Sequence, residues 1–301
     1  MALTENYILS NGVKIPKLGL GTWMIANDKM AGILREAIEI GYRHFDTAQA
    51  YGNETGVGEG IKTCGVPRRE IFVTTKLDAG CKSFKEAKLR IDASLAALKL
   101  DFIDLMLIHS PQPWAEFHQG AHYFEGNLEA WRAFEEAYAA GKLRAIGVSN
   151  FEEADLQNIL DHGNVKPMVN QILTHIGSTP LDLIAYSQKQ GVLVEAYSPI
   201  AHGAIFGNKN LSEMAETYKV TIAQLCIGYC LQLGLLPLPK TVTQDHMRSN
   251  ASIDFTISSE DMETLKLSAP FDDYGVANKF PVFGPNKRTK LDRAATPQPH
   301  K

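Results

Sequence analysis

The chain has 301 residues and 33.2 kDa, enough for one large barrel or two ordinary domains. At 45% hydrophobic and 21% charged its composition is ordinarily globular, and a net charge of −4 argues against a nucleic-acid or anionic-membrane surface. No apolar run approaches the roughly 18 residues of a bilayer span, and MALTENYILS lacks the basic end and apolar stretch of a secretion signal, so the expected location is the cytoplasm.

Tyr7 to Leu20 begins as a hairpin: YILS, an Asn11-Gly12 turn whose residues suit positive φ, then VKIPKLGL. Such a hairpin could plug the bottom of a barrel. Strand and helix signals then alternate. Leu18–Trp23 is the first strand, followed by a helix Asp28–Ile40 with apolar residues at three-four spacing. Arg43–Thr47 and Glu54–Thr63 form the second unit, Ile71–Leu77 and Ser83–Lys99 the third. The fourth strand is FIDLMLIHS, with a helix Asn127–Ala140 after an aromatic-rich loop. Arg144–Ser149 and Glu153–Leu160 make the fifth unit, Pro167–Leu173 and Pro180–Gln190 the sixth. Val192–Ile200 is the seventh strand, with helices at Leu211–Tyr218 and Thr221–Leu233. Leu235–Thr241 is the eighth, with helices Asp245–Ser252 and Ser259–Leu267.

Eight short strands, apolar on both faces and each followed by helix, predict an α/β fold, a (β/α)8 TIM barrel with an N-terminal hairpin and a C-terminal tail over the barrel mouth. No composition shift divides the chain, so residues 1–301 are expected to form a single domain, with 286–301 a mobile tail. The cysteines at 64, 81, 226 and 230 have no CxxC spacing. Cys226 and Cys230 lie one helical turn apart without a His pair; they read as reduced thiols, and no metal is expected.

In a parallel barrel, sites lie outside the carboxyl ends of the strands, so strand-end residues share one mouth. Here they are Trp23, then Asp46 with Tyr51 in the following loop, Lys76, His109, Ser149 with Asn150, Gln171, Tyr197, and Lys240 with Thr241. Singly each has a structural explanation: a capping Asp, a packed surface Tyr, a solvated Lys, a satisfied His. Chemically useful side chains at the same end of eight successive strands are harder to explain by packing, because polar groups at apolar strand ends are costly unless partnered.

Three stretches carry a family resemblance. GYRHFDTAQAYGNE, LRAIGVSNF and LPKT resemble, in order and on the expected strands, the signatures of the aldo-keto reductases of the prokaryotic NAD(P)H-dependent type. The likeness runs to about residue 285 and implies a catalytic tetrad of Asp46, Tyr51, Lys76 and His109. It implies nicotinamide contacts from Ser149, Asn150 and Gln171, with Tyr197 stacking on the ring. Thr22, Ser198, Lys240, Thr241, His246 and Asn250 complete the implied cofactor set, and Trp23, Ser110 and Trp114 the implied substrate wall. A phenol with an ordinary pKa of about 10 is a poor acid; Lys76 beside Tyr51 would favour the phenolate and Asp46 would balance the ammonium. His109 would orient the carbonyl. Gly19-x-Gly21 and Gly56-x-Gly58 lack the full GxGxxG pattern and carry no dinucleotide role.

The chain departs from its relatives in four places. Ser110 stands where many carry Trp, so the substrate pocket is expected to be wider or more polar on that side. The run after Gln171 is Ile172-Leu173-Thr174-His175-Ile176 instead of an acidic-aromatic-His-Pro sequence. The loop after the fourth strand holds Trp114, Phe117, His118, His122, Tyr123 and Phe124, either substrate walls or a packed lid. The third signature lacks its usual Arg, with His246 in that place and Arg248 two residues on. The expected activity is reduction of aldehydes, dicarbonyls or ketoses, with NADPH preferred and NADH also used. Expected partners are the small-molecule carbonyl alone, with no nucleic acid or membrane, in a monomer or weak dimer. Two other readings compete. Some relatives are cofactor-sensing channel subunits with little turnover, and a metal-dependent lyase would use Asp46 and His109 but leave Tyr51 and Lys76 idle.

Overall fold

The computed structural model describes residues 2–271 and 273–283. Strands β1 (Asn6–Ile8) and β2 (Lys14–Pro16) form the antiparallel hairpin, turning at Gly12 with φ of 84°. Tyr7 Oη donates to the carbonyl of Leu235 at 3.1 Å and Asn11 Nδ2 to that of Arg144 at 2.9 Å. Both acceptors precede barrel strands, so the hairpin covers the amino-terminal end of the barrel, with Leu9, Ile15 and Leu18 buried beneath it.

Eight parallel strands follow: β3 (Leu20–Gly21), β4 (His44–Asp46), β5 (Phe72–Leu77), β6 (Leu105–Ile108), β7 (Ile146–Ser149), β8 (Val169–Leu173), β9 (Leu193–Tyr197) and β10 (Leu236–Leu238). They pair in sequence order, and Gly19 N to Pro237 O (3.2 Å) with Gly21 N to Pro239 O (3.1 Å) close β3 against β10. The predicted (β/α)8 barrel is therefore present. The first strand is shorter than the sequence suggests: Thr22 N still donates to Asp46 O at 3.0 Å, but its carbonyl accepts from Ile25 N at 3.1 Å as the chain turns toward α1.

The outer helices are α1 (Asn27–Ile40), α2 (Glu54–Thr63), α3 (Phe84–Leu98), α4 (Phe124–Ala139), α5 (Glu153–His162), α6 (Leu181–Lys189), α7 (Lys209–Thr217), α8 (Ile222–Gln232), α9 (Gln244–Ala251) and α10 (Ser259–Lys266). α1 buries Met30, Leu34, Ala37 and Ile38 at helical spacing and ends at Gly41, whose φ of 119° suits a residue without Cβ. A capping box between Thr221 and Gln224 starts α8. α4 begins three residues before its predicted start, taking Gly126 into its first turn: a Cβ there would lie 2.8 Å from Lys82 Cβ, so the glycine marks close packing rather than a loop.

Beyond α10 the chain crosses the barrel mouth. Phe280 lies edge-on to Trp23 with centroids 4.7 Å apart, and Phe283 stacks on it at 5.9 Å. His175, in the altered run after Gln171, holds this segment through a 3.0 Å contact between Nε2 and Tyr274 Oη and an edge contact with Phe271. The segment 286–301, expected to be mobile, lies outside the described residues. Among the described residues no helix is long and apolar enough to cross a membrane.

The glycines of α2 serve packing. A Cβ on Gly58 would lie 2.1 Å from the carbonyl oxygen of Leu98 at the end of α3, and one on Gly56 2.4 Å from that of Asn27. Gly58→Ala is expected to destabilise the fold by about 1–3 kcal/mol through overpacking, read as a fall in Tm. An unchanged Tm would mean that α2 and α3 can separate without cost.

Candidate active site

Residues two apart on a strand face the same side, and partners across parallel strands point together. The register pairs of Gly21 with Asp46 and Ser149 with Gln171 therefore bring the ends of these strands to one level at the mouth. A cavity of about 810 Å3 opens there, a size that suits an elongated small ligand.

Lys76 is fully buried. Its Nζ donates to Asp46 Oδ1 at 2.5 Å, to the carbonyl of Thr47 at 3.0 Å and to Tyr51 Oη at 3.4 Å. Burial disfavours its ammonium, but the charge of Asp46, followed by Tyr51, its bond to Asp46 and Glu195, outweighs this and raises its pKa. Burial also raises Tyr51, and Asp46 adds to that, while Lys76 pulls the other way. The sequence suggested a phenol shifted toward phenolate; the net direction in the structure is upward, so Tyr51 rests protonated. His109 is pushed well below its ordinary value by burial and then by Lys76, so its ring is neutral. It lies edge-on to Tyr51 at 5.7 Å and to Trp114 at 5.1 Å.

Tyr51, Asp46 and His109 line the cavity; Lys76 stands behind them. Ser149, Asn150, Gln171, Tyr197 and Ser198 line it too, as do Lys240, Thr241, His246 and Asn250. Within this group Ser149 Oγ donates to the Gln171 carbonyl (2.9 Å). Asn150, at φ of 60°, donates to His109 O and Ser149 Oγ (both 3.0 Å) and accepts from Tyr197 Oη at 2.7 Å. Gln171 Nε2 donates to Asp46 Oδ2 at 2.8 Å and to Glu195 Oε2 at 2.7 Å.

Trp23 and Trp114 line the cavity, but Thr22 and Ser110 do not. Thr22 is buried with Oγ1 donating to the Asp46 carbonyl at 2.9 Å, and Ser110 is buried with Oγ accepting from Gln112 N at 3.2 Å. Both hydroxyls are spent on nearby backbone rather than presented to the cavity. Of the loop aromatics, Trp114 faces the cavity; Phe117 packs behind it at 5.4 Å and His122 stacks on Phe124 at 4.6 Å, which makes most of this loop a packed lid.

Sequence reasoning missed several residues. Glu195 is fully buried inside the barrel, two positions before Tyr197 and hence on the same face. A charged residue inside the apolar run VLVEAY was the available signal. His202 reaches the cavity from the loop after β9, edge-on to Trp23 at 5.3 Å and Phe283 at 4.4 Å. Burial, then Lys240, lowers its pKa to about 4. Phe280 and Phe283 also line the cavity, and nothing in their spacing announced it.

The donor set fits a nicotinamide dinucleotide. Amide and hydroxyl groups cluster beside Asp46 and Tyr51, and a lysine, a hydroxyl and an imidazole lie farther along the same cavity. The family model described as the Aldo/keto reductase family matches residues 17–268. A glyoxal reductase of Bacillus subtilis is 38% identical over 266 residues, covering 88% of this chain and 92% of the relative. A methylglyoxal reductase of Escherichia coli K12 is 37% identical over 264 residues, covering 86% and 92%. The crystal structure of an aldo/keto reductase from Brucella melitensis superposes with a TM-score of 0.81 at 35% identity, covering 87% of this chain and 97% of the other. A Bombyx mori aldo-keto reductase in complex with NADP gives 0.80 at 29% identity, covering 94% and 99%.

Lys76→Met is expected to abolish most turnover and also to destabilise the fold. Removing one partner of a buried ion pair costs about 3–5 kcal/mol, because Asp46 is left charged and short of a donor. A variant with wild-type Tm would mean that Asp46 is not charged in the resting protein.

Proposed function

This chain belongs to the aldo/keto reductase family, and from that premise we propose that it reduces small aldehydes and dicarbonyls to alcohols with NADPH. The observation that carries the proposal is the contact of a protonated, cavity-lining phenol, Tyr51, with the fully buried Lys76–Asp46 pair. The glyoxal and methylglyoxal reductases among its relatives support the choice of substrate class.

When bound, the cofactor supplies a hydride to the carbonyl carbon. Tyr51 Oη gives its proton to the oxygen on which negative charge develops, and the phenolate left behind is balanced by the Lys76 ammonium 3.4 Å away. Asp46 keeps that ammonium in place at 2.5 Å. His109, neutral and flush with the cavity, is suited to holding the carbonyl by a hydrogen bond and unsuited to giving up a proton. Ser149, Asn150 and Gln171 are the groups suited to a carboxamide, provided Ser149 and Asn150 exchange some of the bonds they make with each other. Trp23, Phe280 and Phe283 form an apolar wall that favours small carbonyls over long polar chains.

Tyr51→Phe should bind NADPH with nearly unchanged affinity, measured by nicotinamide fluorescence, while kcat on a small aldehyde falls by about 100-fold or more. A variant with near-wild-type kcat would take the acid role from Tyr51. A wild-type protein that binds NADPH without turning over any aldehyde or dicarbonyl would favour a cofactor-sensing role.

The preference between cofactors turns on His246. It lines the cavity with Lys240 and Thr241, whereas Arg248 is exposed and absent from the lining. An Arg fork grips phosphate bidentately and permanently; an imidazole does neither. NADPH is thus proposed as preferred by a modest margin, with NADH also accepted. His246→Arg should raise the NADPH-to-NADH ratio of kcat/KM by about tenfold, the worth of one charge-assisted bond. An unchanged ratio would mean that residue 246 does not meet the phosphate.

A further inference from the structure

Glu195 has no place in the tetrad and no contact with the cavity, yet it lies at the base of the same polar column. Its Oε2 accepts from Gln171 Nε2, and that nitrogen also donates to Asp46 Oδ2. An amide nitrogen has two hydrogens, so both are spent on carboxyl oxygens, and the amide oxygen is the acceptor that Gln171 keeps for another partner. The orientation of Gln171 is thereby determined from below. Without Glu195, one of those hydrogens has no acceptor and the amide can turn over.

The charged groups facing Glu195 are Asp46 from β4 and Lys76 from β5; the strands flanking it bring Gln171 and Leu236, which do not titrate. Two carboxyls thus share one ammonium in a buried interior that meets the cavity only through Asp46. Two carboxylates with one cation would leave a net charge there, and like-charged neighbours force one acid to keep its proton. Asp46, bonded to the ammonium at 2.5 Å, is the carboxyl paired directly with the cation. Among the described residues Glu195 Oε1 has no hydrogen-bond partner, and a bare charged oxygen costs far more in the interior than a bare hydroxyl.

We propose that Glu195 is a positioning residue for the carbonyl reduction: as a neutral carboxylic acid it holds Gln171 in one orientation and leaves Asp46 as the sole counter-charge to Lys76. The inference rests on the reductase reading for its link to the cofactor. Burial, and then the charge of Asp46, push the Glu195 carboxyl up to about 8, with the Gln171 bond and Lys76 pulling it back.

Its proton can be tested without any ligand. The unfolded chain releases it near the ordinary value of 4.5 and the folded chain near 8. Between those values the folded state holds a proton that the unfolded state lacks, so wild-type stability falls as pH rises through this window. Glu195→Gln has no such proton to lose. Its Tm relative to wild type should therefore climb steadily from pH 5 to pH 8. For the positioning role, Glu195→Leu should raise the NADPH dissociation constant at pH 7, by fluorescence titration, about tenfold, and Glu195→Gln should restore it to within about threefold of wild type. Above pH 8 wild-type affinity should weaken while that of Glu195→Gln stays flat. A Tm difference that does not change with pH would overturn the neutral acid, and Glu195→Leu with wild-type affinity would overturn the positioning role. Failure of the wild type itself to bind NADPH would instead strike the reductase reading, and the Tm comparison would still judge the proton.

Discussion

The structure depends on one costly arrangement: a lysine with no exposed surface, inside a parallel barrel, held at 2.5 Å from a carboxylate. Removing an ammonium from water costs several kcal/mol even after relaxation, on the order of what a whole domain has in reserve. The chain accepts the cost because Lys76 is then fully coordinated, by Asp46, Thr47 and Tyr51, and because fields in a dry interior are strong. Much of the rest is support for this pair. Thr22 Oγ1 donates to the Asp46 backbone carbonyl, Gln171 donates to the second Asp46 oxygen, and the pairing of β3 with β4 sets Gly21 beside Asp46.

Most of the barrel was legible because its signal repeats: short apolar strands alternate with helices whose apolar faces follow the helical period. The strand-end residues were legible because polar groups there need a reason. Legibility failed where side-chain direction mattered. Thr22 and Ser110 sit at strand ends, yet their hydroxyls bond the Asp46 carbonyl and Gln112 N, partners that strand-end position alone does not reveal. Glu195 was missed for the complementary reason. Reading VLVEAY as buried on both faces hid the period of two that puts Glu195 and Tyr197 on one side. The packing of Phe280 and Phe283 on Trp23 follows no local period, since it depends on where a crossing segment lands; His175, which anchors that segment through Tyr274, reads in the sequence only as a departure from relatives.

The site's electrostatics favour one division of labour over its rivals. Burial drives His109, Tyr51 and Glu195 toward their neutral forms, the first below its ordinary value and the other two above theirs. A neutral imidazole has one proton to share in a hydrogen bond and none to release easily, whereas the phenol has a proton and a cation beside it to stabilise what remains. The raised resting pKa of Tyr51 therefore does not weaken the case for it as the acid. It keeps the proton in place until negative charge develops on the bound oxygen, and Lys76 then acts on the phenolate that forms. The upward push of burial and of Asp46 sets the resting state, the ammonium lowers the cost of leaving it, and the balance holds only while Asp46 is the single negative charge beside Lys76.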